Sequence, residues 1–596
     1  MAPAEYMVRP PQPPVYLFLV DVSYTAVASG MLRCVSATIK HTLARLPGGE
    51  RTQVGLITYD SALQFYNLSG SAPQMLVVPE VDDVFLPLPD DILANLQEKS
   101  EQFEGLFDQL PTMFANTQTA ETCLGPALKA AYQVIQHVGG KLHVFTATRP
   151  TVGESPIKNR EGAPAAAKPK EGTPTQLQPD GEFYKNLAVD CSKQQVCVDI
   201  WSFAGAYTDL ATIGQLAKHT TGSVYHYPSF SDAVEGEKLS RDLQHNLTRE
   251  QGWEAVMRVR ASRGLRISSF LGHFFIRGTD LLALPNVDED KAFAVEIAHE
   301  ENAQNVSNCC LQAALLYTTS DGERRIRVHT MQVPASAAVA TLFESADVDA
   351  CANVLARLAA DQAVKSKLLD GAEKMQTSCM EPLRAFRAIC PPQAKAANAV
   401  LLPELLKLLP LYALGLMKTA VFSTAAEVRA DDRMALIYEL ATMGCERSVA
   451  LMHPRLFQLF PPPATPPPLP LPLTALSLNA AAAYLLDDGM SLTLWLGHAV
   501  PTEFLQGAFG WGTLDGVDAS ALRLLPADSS PTARQIDELV SLLRSERPHS
   551  WLRVRVMKQG EGDAPFLRCL VEDQTKQMMS YGDFVMHCHR YVLSKA

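Results

Sequence analysis

The chain contains no Cys-x-x-Cys pair and no Gly-rich loop closing on Lys and Ser or Thr. That removes the usual zinc-knuckle and phosphate-cradle signatures. His299-Glu300 has no second His at zincin spacing, and no Gly-x-Ser-x-Gly elbow occurs. Metalloprotease and serine-hydrolase chemistry therefore have no foothold. Basic side chains are in deficit, with a formal charge of −12, which argues against a general nucleic-acid binder. The first residues lack the basic-then-apolar pattern of a signal peptide. The longest apolar run, AVLLPELLKLLPLYALGLM (399–417), is broken by Pro403, Glu404, Lys407 and Pro410. It reads as a core helix region rather than a membrane span, so any membrane association is expected to be peripheral. Twelve scattered cysteines, with Cys309 and Cys310 adjacent, predict reduced thiols in a cytosolic compartment. His587 and His589 lie two apart on a terminal helix and point to different sides, which does not suit a shared metal.

What is present begins with MVRPPQPPVYLFLVDVS, residues 7–23. The prolines fix an extended approach, and Val15 to Val20 form a short apolar run, the pattern of a strand buried on both faces. Asp-x-Ser at the end of such a first strand is where a von Willebrand A-type domain begins its metal site. Asp21, Ser23 and Thr25 fit the first three positions and Thr119 or Thr122 the fourth. The fifth, a carboxylate after KLHVFT, is replaced by Thr146-Ala-Thr-Arg149. Magnesium favours hard oxygen donors that usually include carboxylates. One carboxylate with Arg149 close by predicts an A-type scaffold without a metal.

Buried strands alternate with helical patterns from 15 to 248: VYLFLV, QVGLIT, QMLVV, KLHVFT, VCVDIWSF and SVYHY. Leu124, Leu128, Ala131, Ile135 and Val138 recur at helical spacing until Gly139-Gly140, and a second helix follows Thr208. This predicts a mostly parallel sheet covered on both faces, preceded by an extended segment, 1–14. Residues 153–181 are poor in large apolar side chains and predict a mobile surface loop. From 249 to 338 the period falls to two between Gly264, Gly272 and Gly278, the pattern of a β-sandwich. Residues 339–450 carry helical spacing in CANVLARLAADQAVKSKLL and predict a helical domain. FPPPATPPPLPLPL (460–473) is a semi-rigid proline-rich connector or loop. It lies in a last domain, 451–596, that ends in a helix and holds a hairpin signal around Asp487-Asp488-Gly489.

Basic residues alternate in RVRASRGLRI, so Arg258 and Arg260 share one face of a strand, with Arg263, Arg266 and Arg277 near in sequence. Arg325, Arg327 and His329 alternate likewise. These arginines are either solvated ion-pairing groups or a surface for anionic lipid or acidic cargo tails. Each cation at such a surface is worth about 1 kcal/mol.

YMVRPPQPPVYLFLVDVS, VGLITYDSALQFYNL (54–68), MLVVPEVDDVFLPLPD (75–90) and FYKNLAVDCS (183–192) resemble the cargo-adaptor subunit of the inner COPII coat. So do the long match at 254–297 and GERRIRVHT (322–330), and the wording is nearest the branch holding the animal C and D paralogues. The resemblance implies a von Willebrand A-like trunk, a β-sandwich, a helical domain and a gelsolin-like domain. It implies a non-enzymatic adaptor that binds cytosolic tails of cargo and SNARE proteins for transport from endoplasmic reticulum to Golgi. Expected partners are a GTPase-activating sister subunit paired through the trunk, the small coat-recruiting GTPase and an anionic membrane surface, with no nucleic acid. The expected location is cytoplasmic, peripheral on endoplasmic reticulum membrane and COPII vesicles. In the family a zinc finger and further sandwich segments lie upstream of the trunk, and this chain is expected to begin after them. No cofactor is therefore expected in it. The alternative reading is the GTPase-activating sister itself, which shares the domain order.

Overall fold

The computed structural model describes residue 6 and residues 10–595 except 89, 162–175, 301–306, 397–399, 426–427, 464–466 and 548–550. They form two compact units, residues 1–335 with 429–442, and residues 336–428 with 443–596.

In the first unit, strands β1 (Val15–Asp21), β2 (Gln53–Tyr59), β3 (Leu63–Asn67), β4 (Gln74–Val78), β5 (Leu93–Asn95), β6 (Gly140–Thr146), β7 (Val196–Ser202) and β8 (Val224–His226) make one sheet. Its order is β4-β3-β2-β1-β6-β7-β8, with β5 against β2. Pairing from β2 across β1 to β8 is parallel, while β3, β4 and β5 are antiparallel. Every residue of β1 is buried because helices cover both faces. Helices Met31–Thr42, Leu96–Met113 and Asp232–Thr248 pack on Tyr16, Phe18 and Val20, and helix Leu124–Ile135 lies against β1 and β2. Gly139 and Gly140 end that helix with φ of 76° and 135°, and a Cβ on Gly140 would meet Val15 at 2.6 Å.

The expected mobile loop at 153–181 needs correction at its ends. Ile157 and Leu177 are buried, and Arg160 pairs with the buried Asp209 at 2.7 Å. Two apolar anchors and an ion pair tie these ends to the sheet's helices, while 162–175 lie outside the described residues. The extended segment 1–14 is described at 6 and from 10 on, where Arg51 holds the carbonyls of Pro11 and Gln12.

The sandwich follows with β9 (Gln251–Ala261), β10 (Leu265–Leu271), β11 (Phe275–Arg277), β12 (Leu281–Asp288), β13 (Ala294–His299), β14 (Asn308–Thr319) and β15 (Arg324–Pro334). A five-stranded sheet, β11-β12-β9-β14-β15, faces the pair β10-β13 across Ala255, Leu282 and Leu284, with Met257, Phe270 and Leu315 packed against them. Helix Ala430–Leu440 belongs to this unit although it lies inside the helical stretch of the sequence. Asp431 accepts the backbone N–H groups of Thr208 (2.6 Å) and Leu210 (2.8 Å) and the Thr208 hydroxyl.

In the second unit, helix Val348–Lys365 starts on Asp347, whose carboxylate accepts two first-turn N–H groups. It presents Ala352, Ala356, Ala359 and Ala363 to helix Leu368–Ile389. A Cβ on Gly371 would stand 2.5 Å from the Ala359 carbonyl oxygen, so small residues set this close approach. Only the second half of the long apolar run is α-helical, Leu409–Lys418, with Pro410 in its first turn, where no backbone donor is needed. The last sheet is β16 (Arg455–Phe460), β17 (Ala483–Asp487), β18 (Leu492–Leu496) and β19 (Val554–Lys558), with β18 and β19 parallel. Helices Thr502–Phe509 and Pro531–Ser545 bury Phe504, Ile536 and Leu539 against Leu485 and Leu494. The turn after Asp487 has Gly489 at φ 80°, and Asp488 accepts the N–H groups of Met490 and Ser491.

Candidate functional site

The A-type corner lies where β1 and β6 end. Asp21 is fully buried, and its two oxygens accept the N–H groups of Ser23 and Ala147, each at 2.8 Å. Ser23 Oγ lies 3.1 Å from Thr148 Oγ1, and Thr146 Oγ1 donates to the Thr148 carbonyl. Thr122 donates to the carbonyl of Arg149, and Thr119 offers its own carbonyl to Tyr24 N. Thr25 is half-buried in the short helix Tyr24–Ala28. Burial raises the Asp21 carboxyl to about 6, against the lowering effect of those N–H groups. Each carboxylate oxygen thus accepts one N–H, and among the described residues no second acid is grouped with Asp21. One carboxylate among hydroxyls and carbonyls is a sparse donor set for a divalent ion. It is Thr148 that faces Ser23; the Arg149 guanidinium, expected at this spot, turns to the Ile157 carbonyl at 3.1 Å.

Toward the other end of β6 lies a buried polar cluster that has no motif in the sequence. Lys141 and Asp199 pair at 3.0 Å with no exposure, and Asn246 accepts from Lys141 and donates to Asp199. Ser223 N–H also donates to Asp199, whose carboxyl lies well below the usual range because the nearby cations outweigh burial. Among the described residues, the one trio with metal-ligand spacing is His245, Glu289 and Asp290. There Asp290 already pairs with His245 at 2.8 Å and with Arg249, so the geometry is that of an ion-pair network.

The five sandwich arginines do not form one patch. Arg258 and Arg260 share the outer face of β9, in register with Ala314 and Gln312. Arg258 pairs with Asp280 at 3.2 Å, and Arg277 donates to the carbonyls of Ser192 and Lys193 at a helix end. Arg260, Arg263 and Arg266 are exposed, Arg266 on the smaller sheet. Arg327 is in register with Leu315 and Met257, so Arg325, Arg327 and His329 fall on the opposite face from Arg258.

Two cavities in the second unit had no sequence signal, because they are built from residues far apart in the chain. One, of about 380 Å³, is lined by Met417, Lys418, Arg568, Lys576, Gln577 and Met578. Lys418 donates to the Val571 carbonyl, and burial lowers its pKa to about 8 while Asp573 opposes. The other, about 410 Å³, has Phe343, Phe386, Pro403 and Leu405 for walls, with Glu344 and Glu404 among its lining residues. Each has the volume for a few peptide side chains.

Comparison with known proteins decides the family. The Sec23/Sec24 trunk domain matches residues 11–247, the Sec23/Sec24 beta-sandwich domain 252–336 and the Sec23/Sec24 helical domain 347–450. The crystal structure of the human COPII-coat protein Sec24c aligns with a TM-score of 0.93 at 32% identity, covering 100% of this chain and 79% of that one. The chain belongs to the Sec24 family. Protein transport protein SEC24 A of Arabidopsis thaliana is 39% identical over 99% of this chain and 58% of its own length. Sec24A of Mus musculus is 38% identical over 99% of this chain and 55% of its own. The chain thus spans little more than half of these Sec24 relatives. At 38% identity to a Sec24A and 32% to Sec24c, the sequence does not single out the C and D branch. None of the matched Sec23/Sec24 domains is a catalytic family. Among the described residues no helix is long and apolar enough to cross a membrane.

Proposed function

We propose that the chain acts as the cargo-binding adaptor of the inner COPII coat, carrying proteins from the endoplasmic reticulum toward the Golgi. The observation that carries this reading is the alignment of the whole chain with a COPII-coat Sec24 structure. The adaptor works by binding alone. The two cavities of the second unit suit short sorting signals on the cytosolic tails of cargo and SNARE proteins. Such signals gain affinity from a few side-chain pockets, and weak single contacts become effective when many adaptors share one coat.

The partner through the trunk is a Sec23-type, GTPase-activating sister. An edge on the trunk sheet supports this: among the described residues β4 pairs only with β3, and it exposes Met75 and Val77. Arg260, Arg263 and Arg266 are the arginines free to meet anionic lipid or acidic tails, whereas Arg258 and Arg277 serve the fold. The small coat-recruiting GTPase and the cytoplasmic face of the endoplasmic reticulum membrane complete the setting, with no metal in the A-type corner and no nucleic acid. Co-purification with a Sec23-type subunit and binding of the pair to immobilised cargo-tail peptides tests the reading. A 1:1 complex that retains tails is expected. A chain that ignores the sister and every tail would overturn it.

A further inference from the structure

Of the two readings of the proline-rich stretch, connector or loop, its described residues, 460–463 and 467–473, fit the loop. It leaves β16 at Phe460 and returns before β17, so it is an excursion within one sheet. β16 is the edge of that sheet, and the returning chain runs beside it: Leu471 N–H donates to the Leu456 carbonyl at 2.7 Å. Pro470 and Pro472 flank Leu471 and have no N–H, so a single bridge forms and the ladder stops. The far end is clamped. Leu473 is fully buried and its N–H donates to Glu572, and the Thr474 hydroxyl donates to Asp573.

Exposure along Pro467-Pro468-Leu469-Pro470-Leu471-Pro472 has a period of three. Pro468 and Leu471 are half-buried, while Pro467, Leu469, Pro470 and Pro472 are exposed, Leu469 to 78%. Three residues per turn is the period of a polyproline II helix, which proline's fixed φ favours. One edge therefore rests on the domain and two face outward, Pro467 with Pro470 and Leu469 with Pro472. Grooves that read polyproline II take such pairs between aromatic side chains. Clamping the segment in the fold removes much of the ordering cost of binding.

We propose that residues 467–472 are a docking segment for a WW-type module, whose aromatic groove reads Pro-Pro-Leu-Pro. The charge pattern selects this occupant. No Lys or Arg lies between Arg455 and Arg523 in the sequence, and Arg455 is held by Asp487 and Glu546. A groove that pairs an acidic residue with a cation flanking the motif in sequence, as SH3 domains do, finds none in this segment or its sequence neighbours. A neutral groove loses nothing.

The test titrates the full chain with a recombinant WW domain that reads Pro-Pro-Leu-Pro, by fluorescence anisotropy. Parallel titrations use an SH3 domain and profilin. Saturable WW binding is expected, weakened at least tenfold by Pro467→Ala with Pro470→Ala and by Leu469→Gln. Leu476→Ala, at an exposed leucine outside the segment, should bind as the parent does. Melting curves matching the parent's show that the variants fold. Tighter binding of SH3 or profilin than WW would overturn the assignment. So would binding of the free peptide 460–474 without the folded chain, or WW binding by neither.

Discussion

At His143 the ring stands beside Tyr16 and Phe18, with centroids 6.3 and 5.5 Å away. Neither nitrogen has a hydrogen-bond partner among the described residues. Burial, with Lys141 adding to it, lowers its pKa from 6.5 to about 3. His273 is lowered to about 3, also chiefly by burial, although its ring bonds the Gly222 carbonyl. Asp21 moves the other way, from 3.8 to about 6. The signs oppose. A depressed imidazole contributes stability that is present above 6.5 and is lost as pH falls toward 3. A raised carboxyl contributes stability that is present below 3.8 and is lost as pH rises through 6. Two buried histidines lowered in this way act together against one raised carboxyl, and the histidines set the sign between pH 6.5 and 4.5. The first unit should therefore lose melting temperature steadily from pH 6.5 to 4.5, and His143→Phe should flatten that decline. Scanning calorimetry at three pH values decides it; equal slopes for parent and variant would refute the argument. At the A-type corner, calorimetric titration with magnesium or manganese should give no stoichiometric binding. A micromolar site abolished by Asp21→Ala would overturn that expectation.

Elements with a strong period were legible from sequence, and elements defined by a partner were not. β1, β2, β6 and β7 read as apolar runs because helices cover both faces, which is the pattern such a sheet imposes. β3 and β5 carry no such signal: β5 has three residues, and LQFYN in β3 lacks both sustained alternation and an unbroken apolar run. Alternation placed Arg258 and Arg260 on one face, but register alone shows that Arg327 lies on the other. Helix Ala430–Leu440 read as part of the helical domain because a helical period names a face and never the neighbour that covers it. Its attachment makes a prediction. Asp431 is buried and holds two backbone N–H groups, so Asp431→Ala leaves those donors without their carboxylate. A buried donor left unmade costs about 1–3 kcal/mol. Hydrogen exchange at the amides of Thr208 and Leu210 should speed up by ten- to a hundredfold, while those of helix Val348–Lys365 in the other unit stay unchanged.

For the whole molecule, the adaptor reading and the sister reading differ most sharply in catalysis. An arginine presented to a GTPase in trans is worth about 10³ to 10⁵ in rate. The purified chain alone should leave GTP hydrolysis by the coat-recruiting GTPase unchanged, and a hundredfold rise would hand the assignment to the sister. Membrane recruitment is a finer question, because local partners already divide the arginines. Arg260, Arg263 and Arg266 are exposed, and at about 1 kcal/mol each they supply at most about two decades of binding at low salt. Their joint replacement by Ala should therefore weaken recruitment of the sister-bound chain to anionic liposomes. The loss should shrink as salt shortens the screening length to about 8 Å. Arg258→Ala with Arg277→Ala should instead lower the melting temperature and leave recruitment intact, since those side chains answer Asp280 and a helix end. Equal recruitment of the triple variant and the parent at low salt would make the exposed arginines solvated groups, and the membrane would then have to be met elsewhere on the coat.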